Sequence, residues 1–556
     1  MGEPRSETFD YVIVGAGTAG CVLANRLSEQ ADVKVCLIEA GPDDTHPFTH
    51  IPAAVAAAIG TQALNWRFLT VPQPNLAGRR IPIPRGHVVG GSGSINGMVY
   101  FRGQPRDFDD WAAAGNRGWS YREVLPYFLR SESNDAYPGS PYHNTTGPIK
   151  VAFIPRPNRL NQAFAAAMGA LGYRHNPDFN GPDPEGYGLR QGTIRDGRRD
   201  STAAAYLRPV RRRANLRLLT DALVARILLE QGRASAVEVL RGADTLRIGA
   251  RAEIIVCGGA IQSPHILQLS GIGDGAVLKR AGVAVQHHLP GVGANLHDHL
   301  AVPVLMETRN SESYGISVRA LPRGAWAVLD YLLWHRGPFA SNVFESNAFV
   351  RSRPGLDRPN LQIVFQPARR NRSTFPLPLG HGYAISAVGL YPQSRGHITL
   401  RGPDPRTPPD IDPNLLSAAA DLETLVDGLE IGRRIVAAAS FARYRAHEVQ
   451  PGPAVQDRQA LGEYVRRMAS TVHHPVSTCR MGSGAQAVVD SELKVYGIAG
   501  LRVVDASIFP SIVGGNSNAG VVMVAEKAAD LIRGRPAPRA FEVPETRVPA
   551  AATSEA

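Results

Sequence analysis

Three observations predict an α/β fold, α+β overall. An apolar strand at residues 11–14 runs directly into Gly15-x-Gly17-x-x-Gly20 and then into a helix with apolar residues at helical spacing. A second apolar strand, residues 33–38, ends on Glu39. Far downstream, Ile254-Ile-Val-Cys-Gly258-Gly259 and Leu501-Arg-Val-Val-Asp505 read as further buried strands, while residues 301–462 between them carry no nucleotide-binding pattern. A Rossmann-like nucleotide-binding unit follows, with a long intervening stretch that does not share its pattern.

The glycines have separate jobs. Gly15 permits the tight turn, Gly17 lets backbone approach a pyrophosphate, and Gly20 lets the helix pack on the strand, with Thr18 and Ala19 at the helix N-terminus aimed at the phosphates. Glu39, nineteen residues past Gly20, stands where a carboxylate accepts hydrogen bonds from a ribose. Ala40 and Gly41 follow it without an arginine, which argues against a ribose 2′-phosphate. This motif leaves FAD and NAD both open.

Composition excludes other classes. At 556 residues the chain suggests two to four domains. Its net charge is +11, but lysine occurs only at 34, 150, 279, 494 and 527, so 55 of the 60 basic residues are arginine, a compositional bias. The densest cluster, Arg208 and Arg211 to Arg213, lies among apolar residues without interleaved aromatics, so no nucleic-acid role is expected. Cys21, Cys36, Cys257 and Cys479 lack metal or CxxC spacing and read as buried free thiols. No apolar segment is long enough for a transmembrane span, and the polar first ten residues leave no room for a secretory signal. A cytoplasmic location is expected.

Residues 42–84 form a Pro-rich connection in which Trp66 is the prominent aromatic residue. Residues 85–103 follow, a Gly-rich stretch in which Val89, Gly91, Ser94, Asn96, Gly97, Met98 and Val99 offer close backbone approach and hydrogen bonds. From the residues alone, ligand binding and tight packing are equally open there. Residues 215–239 alternate in strand fashion, and residues 415–439 read as a helix with acids early and Arg433 and Arg434 late, as the helix dipole favours.

The 85–103 stretch resembles the first signature of the glucose-methanol-choline (GMC) oxidoreductase family, flavoenzymes that oxidise alcohols. Gly259-Ala-Ile-Gln-Ser263-Pro264 through Gly273 is similar to the second signature, Leu289 through Asp298-His299 to its usual sequel, and Arg198 through Leu207 to a further recurrent segment. The resemblance covers residues 9–533; His87 is a departure of little expected consequence. It implies a discontinuous Rossmann-like FAD-binding domain (1–155, 215–300 and 464–534) with a smaller mixed-sheet substrate domain (156–214 and 301–463). Residues 535–556, rich in Pro and Ala, read as a disordered tail. It also implies FAD contacts from the glycine motif, Glu39, Ala40, Trp66, the Gly-rich stretch, Val224 at the adenine, Asp505, Ala506, Asn516 and Asn518. Ile95 stands where covalently flavinylated relatives carry His, so non-covalent FAD is expected.

Two residues then carry the chemistry. His474, immediately before Pro475, takes the family's flavin-facing histidine position; a histidine titrates near neutral pH and suits acceptance of a hydroxyl proton. Asn516 takes the partner position, and an amide positions the substrate oxygen rather than acting as base. Glu345 matches a carboxylate that faces the cationic head group in choline-oxidising relatives, but a structural or rim role is favoured. His297-Asp298-His299 lacks further ligands, so no metal is expected. The reading is oxidation of a small-molecule alcohol to an aldehyde or ketone, with oxygen or a quinone or other carrier as acceptor, in a monomer or dimer. The alternatives are a flavin-dependent lyase or photodecarboxylase of the same family, an NAD-dependent dehydrogenase, and a non-catalytic FAD-binding protein.

Overall fold

Two seven-stranded sheets organise the chain in a computed structural model that describes residues 6–369 and 379–542. The first contains the nucleotide unit: β1 (Ser6–Val14), α1 (Thr18–Leu27) and β2 (Val35–Ile38). Its order is Leu216–Leu219, β2, β1, Asp244–Val256, Arg233–Arg241, Leu223–Glu230, with Leu501–Val503 also on Asp244–Val256. The members around β1 are parallel and the Leu223–Val256 meander is antiparallel. Val12, Ile13, Val35, Cys36, Leu37, Ile254 and Ile255 are fully buried, as strands covered on both faces require.

The turn between β1 and α1 depends on absent side chains. Gly15 has φ +102°, and a Cβ there would lie 2.6 Å from the Cys257 carbonyl oxygen. A Cβ on Gly20 would lie 2.0 Å from the Gly15 carbonyl oxygen, so α1 could not sit so close to the turn. The chain returns to α1 at its far end, where helix Asn518–Ile532 buries Glu526 against Arg26, whose Nη2 donates to it at 2.8 Å, and the Tyr206 hydroxyl donates to the same carboxylate at 2.6 Å. The first residues of α1, of helix Gly259–Leu269 and of helix Asn518–Ile532 all line one cavity.

The second sheet is antiparallel, in the order His447–Gln450, Leu300–Thr308, His381–Gly389, Leu361–Gln366, Ser346–Val350, Gly186–Leu189. Period-two alternation divides its faces. Val302, Val304, Ile363 and Ile385 enter a core covered by helix Ala419–Ala437, whose Gly428 and Gly432 let it approach Ala387 and Val304 closely. Ala301, Pro303, Gln362, Val364, Ser386 and Val388 point the other way, into the cavity described below. The segment Ser470–Thr471, assigned from sequence to the nucleotide domain, instead pairs with the start of Leu300–Thr308. A two-residue strand leaves no periodic signal from which to place it.

In the stretch read as a tail, Phe541 is held. Its N–H donates to the Arg122 carbonyl at 2.7 Å, its carbonyl accepts from Arg122 Nε at 3.0 Å, and its ring meets Tyr142. The rest of that expectation, residues 543–556, lies outside the described residues. All four cysteines are buried and free, and no described helix is long and apolar enough to cross a membrane.

Two outcomes are expected. Gly20→Ala forces backbone against backbone, so it should destabilise the fold by about 1–3 kcal/mol and reduce bound flavin, measured by chemical denaturation and by the visible absorbance of the purified protein. His265, His297 and His299 are buried, and burial lowers their pKa values to about 4, 3 and 4. The unfolded chain takes up protons near its ordinary pKa of about 6.5 that the folded chain refuses, so stability is present above that pH and is lost as pH falls toward 4. Melting temperatures recorded across this range should fall steadily, and a flat profile would contradict the assignment.

Candidate active site

Between the sheets lies a cavity of about 870 Å³, lined at one end by Gly15, Gly17 and Glu39 and at the other by His474 and Asn516. At the nucleotide end, Glu39 accepts from the Ala16 N–H at 2.9 Å and the Gly41 N–H at 3.0 Å. Burial nevertheless pushes its carboxyl up to about 7. The N-cap Gly17 gives α1 no side-chain cap, so the first-turn N–H groups are open to an anion. The Gly-rich stretch docks on this turn: Gly90 N–H donates to the Ala16 carbonyl at 2.7 Å, and a Cβ on Gly91 would lie 2.8 Å from the Gly17 Cα. A cradle without side chains, free helix donors and a buried acid fit the pyrophosphate and ribose of FAD.

All but three of the residues assigned from sequence line the cavity, the exceptions being Gly20, Val89 and Ser94. Gly20 serves packing. Val89 is buried in the main core, and Ser94 turns inward to donate to the Val89 carbonyl at 2.9 Å, so neither side chain reaches the cavity. Thr18 donates to Asn518 Oδ1 at 2.9 Å and ties the two helix N-termini together. Asn96 Oδ1 accepts from the Met98 N–H at 2.9 Å and from Arg199 at 2.7 Å, which shapes the loop over the cavity. Asp505 accepts from the Gly259 N–H at 2.8 Å, Ser263 at 2.5 Å and the Ser507 N–H at 2.7 Å, pinning the N-terminus of helix Gly259–Leu269. Trp66 stacks on Phe68 and meets His87 edge-on.

At the chemical end the backbone turns through His473 at φ 68°. Asp298 holds that turn, accepting from the His474 N–H at 2.8 Å and from the Thr471 hydroxyl, while Arg85 donates to the His473 carbonyl at 2.6 Å. Behind His474 stands His299, fully buried, its ring faced by the carbonyls of Leu390 and Val513. Its Nε2 lies 2.9 Å from the Leu390 carbonyl and its Nδ1 lies 3.1 Å from His474 Nδ1. A carbonyl only accepts, so the His299 proton belongs on Nε2 and its Nδ1 accepts from His474 Nδ1–H. His474 Nε2 is then the lone-pair nitrogen, and Asn516 Nδ2 donates toward it at 3.1 Å. Asn516 Oδ1 accepts in turn from Arg190 at 3.1 Å.

His299 and Arg190 are the parts that sequence reasoning missed. From sequence His299 reads as part of a recurrent family segment, with a metal role rejected, so its contact with His474 is not foreseen. Arg190 follows a short strand outside every motif, so nothing in the sequence marks it. Glu345 is 1% exposed and saturated: Tyr314 and Ser341 donate to Oε1 at 2.8 and 2.6 Å, and the Asn158 N–H and Asn161 to Oε2 at 2.7 and 2.5 Å. It is a structural carboxylate and does not line the cavity.

Comparison with known proteins bears on this geometry. Two family models, both described as GMC oxidoreductase, match residues 9–301 and 392–525. An alcohol dehydrogenase [acceptor] of Pseudomonas putida is 41% identical over 526 residues, covering 94% of this chain and 95% of the relative. An oxygen-dependent choline dehydrogenase of Chromohalobacter salexigens is 42% identical over 543 residues, covering 96% and 97%. The crystal structure of pyridoxine 4-oxidase from Mesorbium loti superposes with a TM-score of 0.86 at 33% identity, covering 95% of this chain and all of that one. With a dinucleotide cradle at one end of the cavity and a histidine–asparagine pair at the other, the chain belongs to the GMC oxidoreductase family of FAD-binding flavoproteins.

Proposed function

We propose that this protein oxidises an alcohol to an aldehyde or ketone, with His474 as proton acceptor and Asn516 as the group that positions the alcohol oxygen. The observation that carries the reading is the directed chain from the Leu390 carbonyl through His299 to His474 Nε2, which leaves an unprotonated nitrogen facing Asn516 Nδ2 at 3.1 Å inside the cavity. Bound in its cradle, FAD supplies the two-electron acceptor for the hydride leaving the carbinol carbon. The protein does the rest. Asn516 Nδ2 has a second hydrogen for the alcohol oxygen, and His474 Nε2 takes the hydroxyl proton as the C=O forms. The imidazolium so produced keeps its Nδ1–H bond to neutral His299, and Asp298 holds the backbone that aims it. The apolar floor from Ala301, Pro303, Val364 and Val388, with Phe344, excludes water.

Retention of both reactive positions favours oxidation over the lyase reading. Ile95, packed with Ala58, Leu64 and Val88, offers no nucleophile and supports non-covalent FAD. Free buried thiols support a cytoplasmic location. Reoxidation is assigned to dioxygen or a quinone-type carrier, the two classes suggested by relatives named oxygen-dependent and [acceptor] dehydrogenases.

His474→Ala should keep the flavin spectrum and slow flavin reduction by alcohol roughly 10²- to 10⁴-fold in anaerobic stopped flow, and an unchanged rate would remove His474 from the mechanism. Acid precipitation should leave all of the flavin in the supernatant; yellow colour in the pellet would mean a covalent bond.

A further inference from the structure

The charges around the cavity are one-sided. Its only acidic lining residues among the described residues, Glu39 and Asp505, belong to the nucleotide motifs and are occupied by protein donors. Arg79, Arg80, Arg85 and Arg190 also line it, and none of the four forms an ion pair with a carboxylate among the described residues. Arg80 is exposed and Arg79 and Arg85 partly so, whereas Arg190 is 5% exposed beside the catalytic pair. Positive charge therefore runs from solvent to the reacting centre, the arrangement that concentrates an anion.

Arg190 is the decisive residue. Its backbone is fixed by donation to the Glu345 carbonyl at 2.8 Å, continuing the pairing of Leu189 with Ser346. Its guanidinium makes one hydrogen bond among the described residues, to Asn516 Oδ1 at 3.1 Å, and its buried Nε has no partner. Burial without a countercharge is unfavourable enough to pull its pKa down to about 9. Gln362, on the cavity-facing row of the second sheet, likewise has a buried Nε2 without a partner. Both side chains line the cavity, and although these two nitrogens are themselves closed off from it, an acceptor placed in the cavity would meet the guanidinium at its outer Nη atoms, where only the bond to Asn516 is made among the described residues.

Resting on the alcohol-oxidation reading, we propose that the substrate is an alcohol bearing a carboxylate, which Arg190 holds while the hydroxyl lies at His474 and Asn516. Arg190 bonds the same amide that positions the hydroxyl, so a short spacer separates carboxylate from carbinol carbon: a hydroxy acid, oxidised to the oxo acid. A guanidinium fork matches a carboxylate in two parallel hydrogen bonds, a geometry that neither an amide nor a neutral alcohol reproduces. The same guanidinium repels a quaternary ammonium head group, and Glu345, the carboxylate that would attract one, is saturated.

The test compares ω-hydroxy carboxylates of increasing length with the matching ω-hydroxy amides, following anaerobic flavin reduction by holoenzyme, Arg190→Met and Arg190→Lys. Wild type should favour the carboxylates. Arg190→Met should lose at least about tenfold in kcat/KM on carboxylates and little on amides, with partial return in Arg190→Lys. The flavin-band shift induced by a non-oxidisable carboxylate should weaken in parallel. Equal losses on both series would make Arg190 only a positioning residue for Asn516, and a wild type that prefers amides or plain alcohols would contradict this inference alone. A wild type that no alcohol reduces would overturn the alcohol-oxidation reading and this inference with it.

Discussion

The Asp298 carboxylate, at the seam between the two sheets, is the constraint on which the site depends. It ends the run that enters strand Leu300–Thr308 and accepts from both Thr471 and the His474 N–H, so one side chain joins the second sheet to the turn that carries His474. The turn needs this restraint because His473 occupies a left-handed conformation unfavourable for a side chain with a Cβ. The neighbouring residue, His299, bridges the Leu390 carbonyl and His474 Nδ1 and so leaves the lone pair of His474 on Nε2. The backbone turn at His474 and the contact to its Nδ1 thus come from adjacent residues of a single segment.

The cavity separates two kinds of chemistry by its two ends. Backbone without side chains, helix termini and a buried acid build the nucleotide end, where recognition of phosphate and ribose requires close approach rather than long side chains. The other end is built from side chains on rigid strands: an apolar floor whose rows are set by sheet register, and a polar edge of His474, Asn516 and Arg190. Relatives named for alcohols, choline and pyridoxine fit this division, since the first end is common to the fold while the second is free to vary.

The sequence was most legible where backbone geometry constrains residue type. Gly15, Gly17, Gly20 and Glu39 announce the first sheet because few other residues fit those positions, and the resemblance located His474 and Asn516 within recognisable local words. Val89 and Ser94 turn their side chains inward within the Gly-rich loop, a direction that a motif does not specify. Strand Ser470–Thr471 was too short for periodicity to register. Arg190 and the His299 relay were invisible for another reason: Arg190 meets Asn516 across 326 positions and His299 meets His474 across 175, and such contacts exist only after folding. The saturation of Glu345 likewise depends on donors from three separate segments.

The central claim is that an FAD held in this cavity accepts hydride from an alcohol placed by His474 and Asn516. Its most direct test is the visible spectrum of the purified, FAD-reconstituted protein, recorded anaerobically before and after addition of alcohols. The account predicts an oxidised flavin band that at least one alcohol bleaches, with the corresponding aldehyde or ketone formed in equal amount. A folded protein that shows no flavin band, or one whose band no alcohol bleaches, would contradict it.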